Sequence, residues 1–497
     1  MKRFTISPKV IIKYVILLLF SALFLLLFSL WTSPFYRNWY GCDASFFTMS
    51  GRGILHGWVP YRDFFDLKGP CFFFIEALGQ FLCKGRTGAF LLQVIALFFS
   101  YVLIIRICRL FISRAKTIFV LGVFSFFNIA TLWGGNTLEE YMLPLSLLVL
   151  YLVLRDFYRD ATQSIKASTA LITGLCFGIL LFSKITVGAP VAGIVFAICI
   201  FFIKNRRMKE LLEFLLFSFL GVLIVTTIIF IYFSYYGMLR EMLYSVFVFA
   251  FKRSMDFGET YNLRWELKIS PCYFALAFVL FQVIRSKEKE MVKKNSFILT
   301  VTASTALITA VCLHLGTPFI YYFTTVYPVL VPALIAMFVL YEPFTLFKTL
   351  RLDLPLLLFL IPLCYYASHS ASTLNTVIYG RNNGYYQSYY EKAKEMASLI
   401  PDCDKDSVYS FNMDMQWFEI MDVLPCYPYT INLQFFVSLD KSIQNNIINR
   451  LNDSPPKWVV VGGDLYSYLP DIAEQFFPKY TLIYESDYGS LYLYNQQ

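Results

Sequence analysis

The residues best able to do chemistry in this 497-residue chain crowd into one stretch, NWYGCDASFFTMSGRGILHGWVPYRDFFDLKGPCFFFIEALGQFLCKGR, running from position 38 to 86. It carries Asp43, Arg52, His56, Arg62, Asp63, Asp66, Lys68 and Glu76 among many aromatics. Carboxylates can take a proton from a hydroxyl, and Lys or Arg can hold an anion through charge-assisted hydrogen bonds. A segment that only joined two elements would need neither. Two further features lie downstream. Asn136, Thr137, Glu139 and Glu140 form a short polar group, and Lys184 stands with no other Lys or Arg between positions 167 and 203. Each has a plainer reading beside the chemical one. Asp43 suits the N-cap of a helix over residues 44–55, whose Phe47, Ile54 and Leu55 predict an amphipathic helix on a membrane interface. Either glutamate could cap the helix that follows it. Lys184 could snorkel to an interface, and His56 could be a structural interfacial histidine.

The elements that must position these residues are membrane spans. The chain is 58% hydrophobic and 15% charged, against about 45–50% and about 25% in ordinary globular chains. Too few charges remain to coat several water-facing domains, so lipid solvates most of the chain. A bilayer core about 30 Å thick needs about 20 apolar helical residues. Runs of that kind fall at 10–31, 88–110, 117–133, 141–154, 168–182, 187–203, 211–235, 269–284, 297–313, 319–340 and 354–367. About eleven transmembrane helices are expected. The first follows Lys2, Arg3 and Lys9 without a small-residue cleavage site, which reads as a retained helix with a cytoplasmic N-terminus.

Charge placement supports that orientation. The formal net charge of +9 divides into +16 over residues 1–367 and −7 over residues 368–497. Expected inner segments hold 22 Lys and Arg and expected outer loops 12, most of the latter in two long loops where the positive-inside rule is weak. Positive charge here reports orientation and not nucleic-acid binding. The predicted organisation is a transmembrane domain over 1–367, its main motif in the external loop 32–87, and a soluble domain over 368–497 outside the membrane. That tail mixes a helical stretch at 389–399 with strand-like runs at 408–411, 458–461 and 491–494, which predicts a small α/β or α+β unit. Of the 11 cysteines, only Cys403 and Cys426 lie in the tail and could pair in an oxidising compartment. No spacing of a structural metal site occurs.

An acidic residue just after the first span, followed by GRGILHGWVPYRDFFDLKGP, resembles the first external loop of the C-type (GT-C) glycosyltransferase superfamily. These polytopic enzymes include the protein O-mannosyltransferases and the lipid A aminoarabinose transferases. The likeness runs through Asp43, Gly53, Gly57, Pro60, Tyr61, Asp63, Phe65, Asp66, Lys68, Gly69 and Pro70. Gly134 to Tyr141 resembles the family's second acidic site. Gly316, Pro318, Tyr321, Tyr322 and Pro328 resemble its late external turn. Family members usually carry another acidic residue beside the first, whereas Asp43 is followed by Ala44.

The resemblance implies transfer of a sugar from a polyprenyl-phosphate carrier to an acceptor on the non-cytoplasmic face, with inversion at the anomeric carbon. Asp43 is then the expected base, and Lys184, Arg62 and Lys68 are the expected phosphate partners, with Tyr321 and Tyr322 near the carrier. Glu139, Glu140 and Asn136 would orient the acceptor or hold a divalent cation with Asp43. His56, Asp63 and Asp66 are secondary candidates. The acceptor stays open among glycan, lipid and protein, and the expected location is a bacterial inner membrane with the tail on the periplasmic side. Two other readings stand beside this one: a lipid-linked sugar flippase or transporter, and a catalytically silent relative. The lack of an internal repeat counts against transport.

Overall fold

The computed structural model describes residues 8–159, 163–256, 263–285, 289–315, 319–340, 354–380, 384–431 and 433–495. Among these, nine helices are long and apolar enough to cross a membrane, from Pro8–Phe28 to Leu357–Tyr379, and the shorter Ala167–Leu181 and Pro70–Leu82 are also apolar. Each of the eleven expected spans falls on a helix, and the chain is a polytopic helical membrane protein with about nine to eleven apolar spans. The helix Met208–Tyr235 shows how such a sequence is solvated. Its Leu212, Leu216, Phe219, Ile228 and Ile231 are all exposed, an arrangement that lipid tails accept and water does not.

The described residues separate into two compact units. One gathers those of Met1–Ser29, Leu92–Tyr232 and Ser254–Ile378. Aromatic stacking ties its helices together where hydrophobic driving force between them is weak. Phe157 stacks on Phe297 with ring centroids 3.7 Å apart, and Phe127 on Tyr366 at 4.5 Å. Tyr327, fully buried, shares a 2.8 Å hydrogen bond with Thr131.

The other unit comprises Leu30–Leu91, Phe233–Arg253 and Tyr379–Gln497 as far as they are described, so the first external loop and the tail fold together. The helix Cys42–Leu55 packs on Pro70–Leu82 and on Met415–Met421 of the tail. Phe47 meets Phe72 edge-on at 4.7 Å and Phe64 meets Phe73 at 4.8 Å. This corrects the expectation of an interfacial amphipathic helix. Phe46, Phe47 and Met49 are all buried, because protein covers more than one face. Asp43 is not its N-cap either. Gly41 takes that position, and a Cβ there would stand 2.2 Å from the Trp31 indole, so a side chain at the cap has no room.

The tail contains a four-stranded mixed sheet: β1 (Val408–Phe411), β2 (Trp458–Val461), β3 (Tyr480–Ser486) and β4 (Gly489–Tyr494), in the order β1-β2-β4-β3. β1 and β2 run parallel with Val408 opposite Trp458, and β4 pairs antiparallel with both β2 and β3. The first two strands are buried along their length, which is why they read as short apolar runs. The sequence reading missed β3, a half-exposed edge strand with an irregular step between Leu482 and Tyr484. The expected helix at 389–399 is Gly384–Ser398. Cys403 and Cys426 are both free thiols, and burial pushes the Cys426 thiol up to about 12.

Candidate functional site

In the membrane unit, four consecutive residues ahead of the helix Leu138–Arg159 have positive φ: Trp133, Gly134, Gly135 and Asn136. Gly135 has a second reason to be glycine. A Cβ there would fall 1.9 Å from Ser29 Oγ and 2.8 Å from Gln93 Nε2. The turn hands the chain to Thr137, and the two glutamates then part ways. Glu140 Oε1 accepts from the Thr137 backbone N–H at 3.1 Å and from its hydroxyl at 2.9 Å, and Oε2 accepts from Gln93 Nε2 at 2.6 Å. A threonine followed three residues later by a glutamate that reaches back to its N–H is half of a capping box. Glu140 therefore secures the start of its helix.

Glu139 points elsewhere. Its Oε1 accepts from Lys184 Nζ at 2.7 Å, and its Oε2 is buried with no hydrogen-bond partner among the described residues. Lys184, extended just after the helix Ala167–Leu181, also lies over the Tyr322 ring with its Nζ 2.9 Å from the centroid. Tyr322 meets Tyr321 edge-on at 4.6 Å, and Tyr321 is buried. Three separate elements thus bring a carboxylate, an ammonium and an aromatic face together. Asn136, fully buried, accepts from the Tyr141 hydroxyl and so braces the same turn. Gly316 and Pro318 lie outside the described residues.

In the other unit, Asp43 sits half-buried in the first turn of Cys42–Leu55, where the helix dipole favours a carboxylate. The neighbouring Cys42 thiol donates to Asp414 Oδ1 at 3.2 Å. Burial, then the charges of Asp414 and Asp43, push that thiol well above its ordinary range. Asp414 and Asp43 thus share one neighbourhood, although they are far apart in sequence. Glu419 is a further acid that the sequence reading passed over. Burial pushes its carboxyl up to about 7, while the Ser45 hydroxyl and the charges of Arg86 and Arg52 pull the other way.

The remaining loop candidates are engaged with each other. Arg62 pairs with Asp63 at 2.7 Å, and Asp63 Oδ2 accepts from the Val59 N–H at 2.7 Å. Lys68 pairs with Asp66 at 3.2 Å and lies over the Phe47 ring. The Tyr61 hydroxyl donates to the Lys68 carbonyl at 2.8 Å. These contacts fold the loop on itself, and the exposed His56 likewise meets the Arg52 carbonyl through Nδ1 at 2.8 Å. Gln93 is the residue whose role the sequence could have signalled, as a lone amide within an apolar helix, Arg86–Cys108.

A divalent cation fits this donor set poorly. No group of three or more His, Cys, Asp or Glu stands close enough to hold one among the described residues. One Glu139 oxygen is taken by Lys184, and both Glu140 oxygens are taken by the cap and Gln93.

Comparison with known proteins places this architecture. No family model matches the chain, and no curated protein sequence matches it. Solved structures do match. ArnT from Cupriavidus metallidurans bound to undecaprenyl phosphate is 13% identical with a TM-score of 0.58, over 98% of this chain and 98% of that one. The oligosaccharyltransferase of Archaeoglobus fulgidus in its apo form is 13% identical with a TM-score of 0.53, over 93% of this chain and 71% of that one. Apo ArnT from Cupriavidus metallidurans gives 14% and 0.50 over 97% of this chain. The chain has the fold of the GT-C membrane glycosyltransferases.

Proposed function

We propose that this protein of GT-C fold is a glycosyltransferase that moves a sugar from a polyprenyl-phosphate donor to an acceptor hydroxyl on the non-cytoplasmic face of a membrane. One observation carries the reading: the likeness to ArnT bound to undecaprenyl phosphate extends over nearly the whole of both chains. In the proposed step the acceptor oxygen bonds to the anomeric carbon, the bond from that carbon to the phosphate oxygen breaks, and the acceptor proton passes to Asp43. The leaving phosphate is a weak base and needs cationic stabilisation more than a proton. Lys184 supplies it. Held by Glu139 and resting on Tyr322, its ammonium is oriented in advance, which spares reorganisation as the charge develops. Arg62 and Lys68, likewise paired with carboxylates, are the other candidates for this role. No step is routed through a metal ion.

The test incubates the purified protein with a labelled undecaprenyl-phosphate sugar and a mixed acceptor pool, comparing wild type with Asp43→Asn. Loss of general-base assistance should slow transfer by about 10²–10⁴-fold. Full transfer by the variant would remove Asp43 from catalysis. Reconstituted vesicles that move the labelled lipid without releasing sugar would favour the flippase reading instead.

A further inference from the structure

A cavity of about 590 Å³ opens within the tail, in the size range of small-molecule sites. It lies at the carboxyl ends of the parallel pair β1 and β2, where Asn412 and Gly462 follow the paired ends Phe411 and Val461. Crevices at such strand ends are where open α/β sheets bind ligands. Its walls are chemically mixed. Tyr385, Tyr389 and Tyr488 form one aromatic cluster, with Tyr488 edge-on to the other two at 5.7 and 5.5 Å. Tyr429 and Tyr468 add two more rings, and Asn412, Gln416 and Gln434 add side-chain amides.

Ser410 and Thr430 also line the cavity, and both residues are more than nine-tenths buried. The charged residues narrow the choice. Asp414 and Asp487 line the cavity and, among the described residues, no Lys, Arg or His does, so an anion such as a lipid phosphate is disfavoured there. What suits five tyrosine rings, three amides and two acids is a compact ligand with an apolar face and a ring of hydroxyls. Amides and carboxylates can each engage neighbouring hydroxyls as acceptors, and amides as donors too.

We infer that this cavity binds an uncharged sugar unit, and that this sugar belongs to the acceptor. The second half of the inference rests on the transferase reading above; the first does not. Position within the same compact unit supports it. The lining residue Asp414 accepts from Cys42, next to Asp43, and the lining residue Tyr429 lies 5.4 Å from Phe65 of the first external loop, whose N–H donates to the Pro428 carbonyl. The tail thereby joins a sugar-binding wall to the segment that carries the proposed base, and the acceptor class becomes a neutral glycan or glycolipid headgroup.

Saturation-transfer NMR on the full-length protein in detergent would test this. The probes are the methyl glycosides of glucose, galactose, mannose and N-acetylglucosamine, with glucose 6-phosphate as the anionic control and an uncharged tetrapeptide as the competing class. At least one neutral glycoside should take up saturation at millimolar concentration, and the phosphate should bind about tenfold more weakly or not at all. Tyr488→Ala and Gln434→Ala, both at the rim, should each weaken binding by about tenfold, and Tyr488→Phe should restore it. The inference is overturned if no neutral glycoside binds, if the tetrapeptide binds in their place, or if binding survives Tyr488→Ala and Gln434→Ala together. Donor turnover, followed separately as release of labelled sugar, keeps the two readings apart. Glycoside binding without turnover sinks the transferase and leaves the cavity, whereas turnover without glycoside binding does the reverse.

Discussion

Lys184 and Glu139 form a pair in which one side chain is almost fully enclosed and the other largely so. Truncating one partner of such a pair strands the other charge away from water. Lys184→Ala should therefore act twice: on stability, through the stranded Glu139 carboxylate, and on rate, through the lost phosphate partner. Transfer per folded molecule should fall by about 10²–10³-fold, the usual consequence of removing one preorganised donor. Comparison with the double variant Lys184→Ala, Glu139→Gln separates the effects, since the second change removes the stranded charge and should recover stability but not rate. Glu419 gives a prediction about pH. Its carboxyl keeps a proton in the folded unit up to about pH 7, where the unfolded chain, near 4.5, has already lost it. The stabilisation is thus complete below about 4.5 and disappears as pH rises through about 7. Thermal unfolding followed across this window should show a slope that Glu419→Gln flattens.

At the scale of elements, the helix Leu138–Arg159 depends on how it begins. Its first turn holds two acids, one turned back to close the cap and one turned toward Lys184. Glu140→Ala should cost about 0.5–2 kcal/mol, as lost caps generally do, whereas Glu140→Gln keeps the capping geometry and should cost less. Melting temperature measured in one detergent checks both. The opposite outcome, a stability loss for Gln as large as for Ala, would show that charge and not capping geometry matters at this position. The turn ahead of the helix is equally committed. Successive positive φ values leave Gly135 no room for a side chain beside Ser29 and Gln93.

For the whole molecule, the distribution of charge predicts an orientation. Lys and Arg concentrate in the segments expected on the cytoplasmic side, and the tail of residues 368–497 is net −7, so the tail should face away from the cytoplasm. Cys403 is an exposed thiol in that tail. A membrane-impermeant maleimide added to right-side-out vesicles or spheroplasts should label it, and Cys403→Ser should remove that label. Labelling only after the membrane is opened would reverse the topology, and with it the face on which transfer is proposed.

The membrane body was legible in the amino-acid order because a lipid-crossing helix is a local object. Its length is set by bilayer thickness and its residues by the solvent around them, so every expected span falls on a helix. Strands β1 and β2 were legible for a related reason, since burial on both faces leaves short runs of apolar residues. Edge strand β3 left no such mark, because half of it faces water. The division of labour between Glu139 and Glu140 was beyond the sequence as well. Both lie in the first turn of the same helix, and only the positions of Lys184 and Gln93, 45 and 47 residues away, decide which acid caps and which pairs. The same holds in part for the helix that bears Asp43, which is buried by the distant Met415–Met421 as well as by the nearby Pro70–Leu82. The tail cavity is the extreme case, since its lining runs from Tyr385 to Tyr488 and no local pattern joins them. Solvent preference is written residue by residue and survives in sequence; contact between distant segments exists only once the chain has closed on itself.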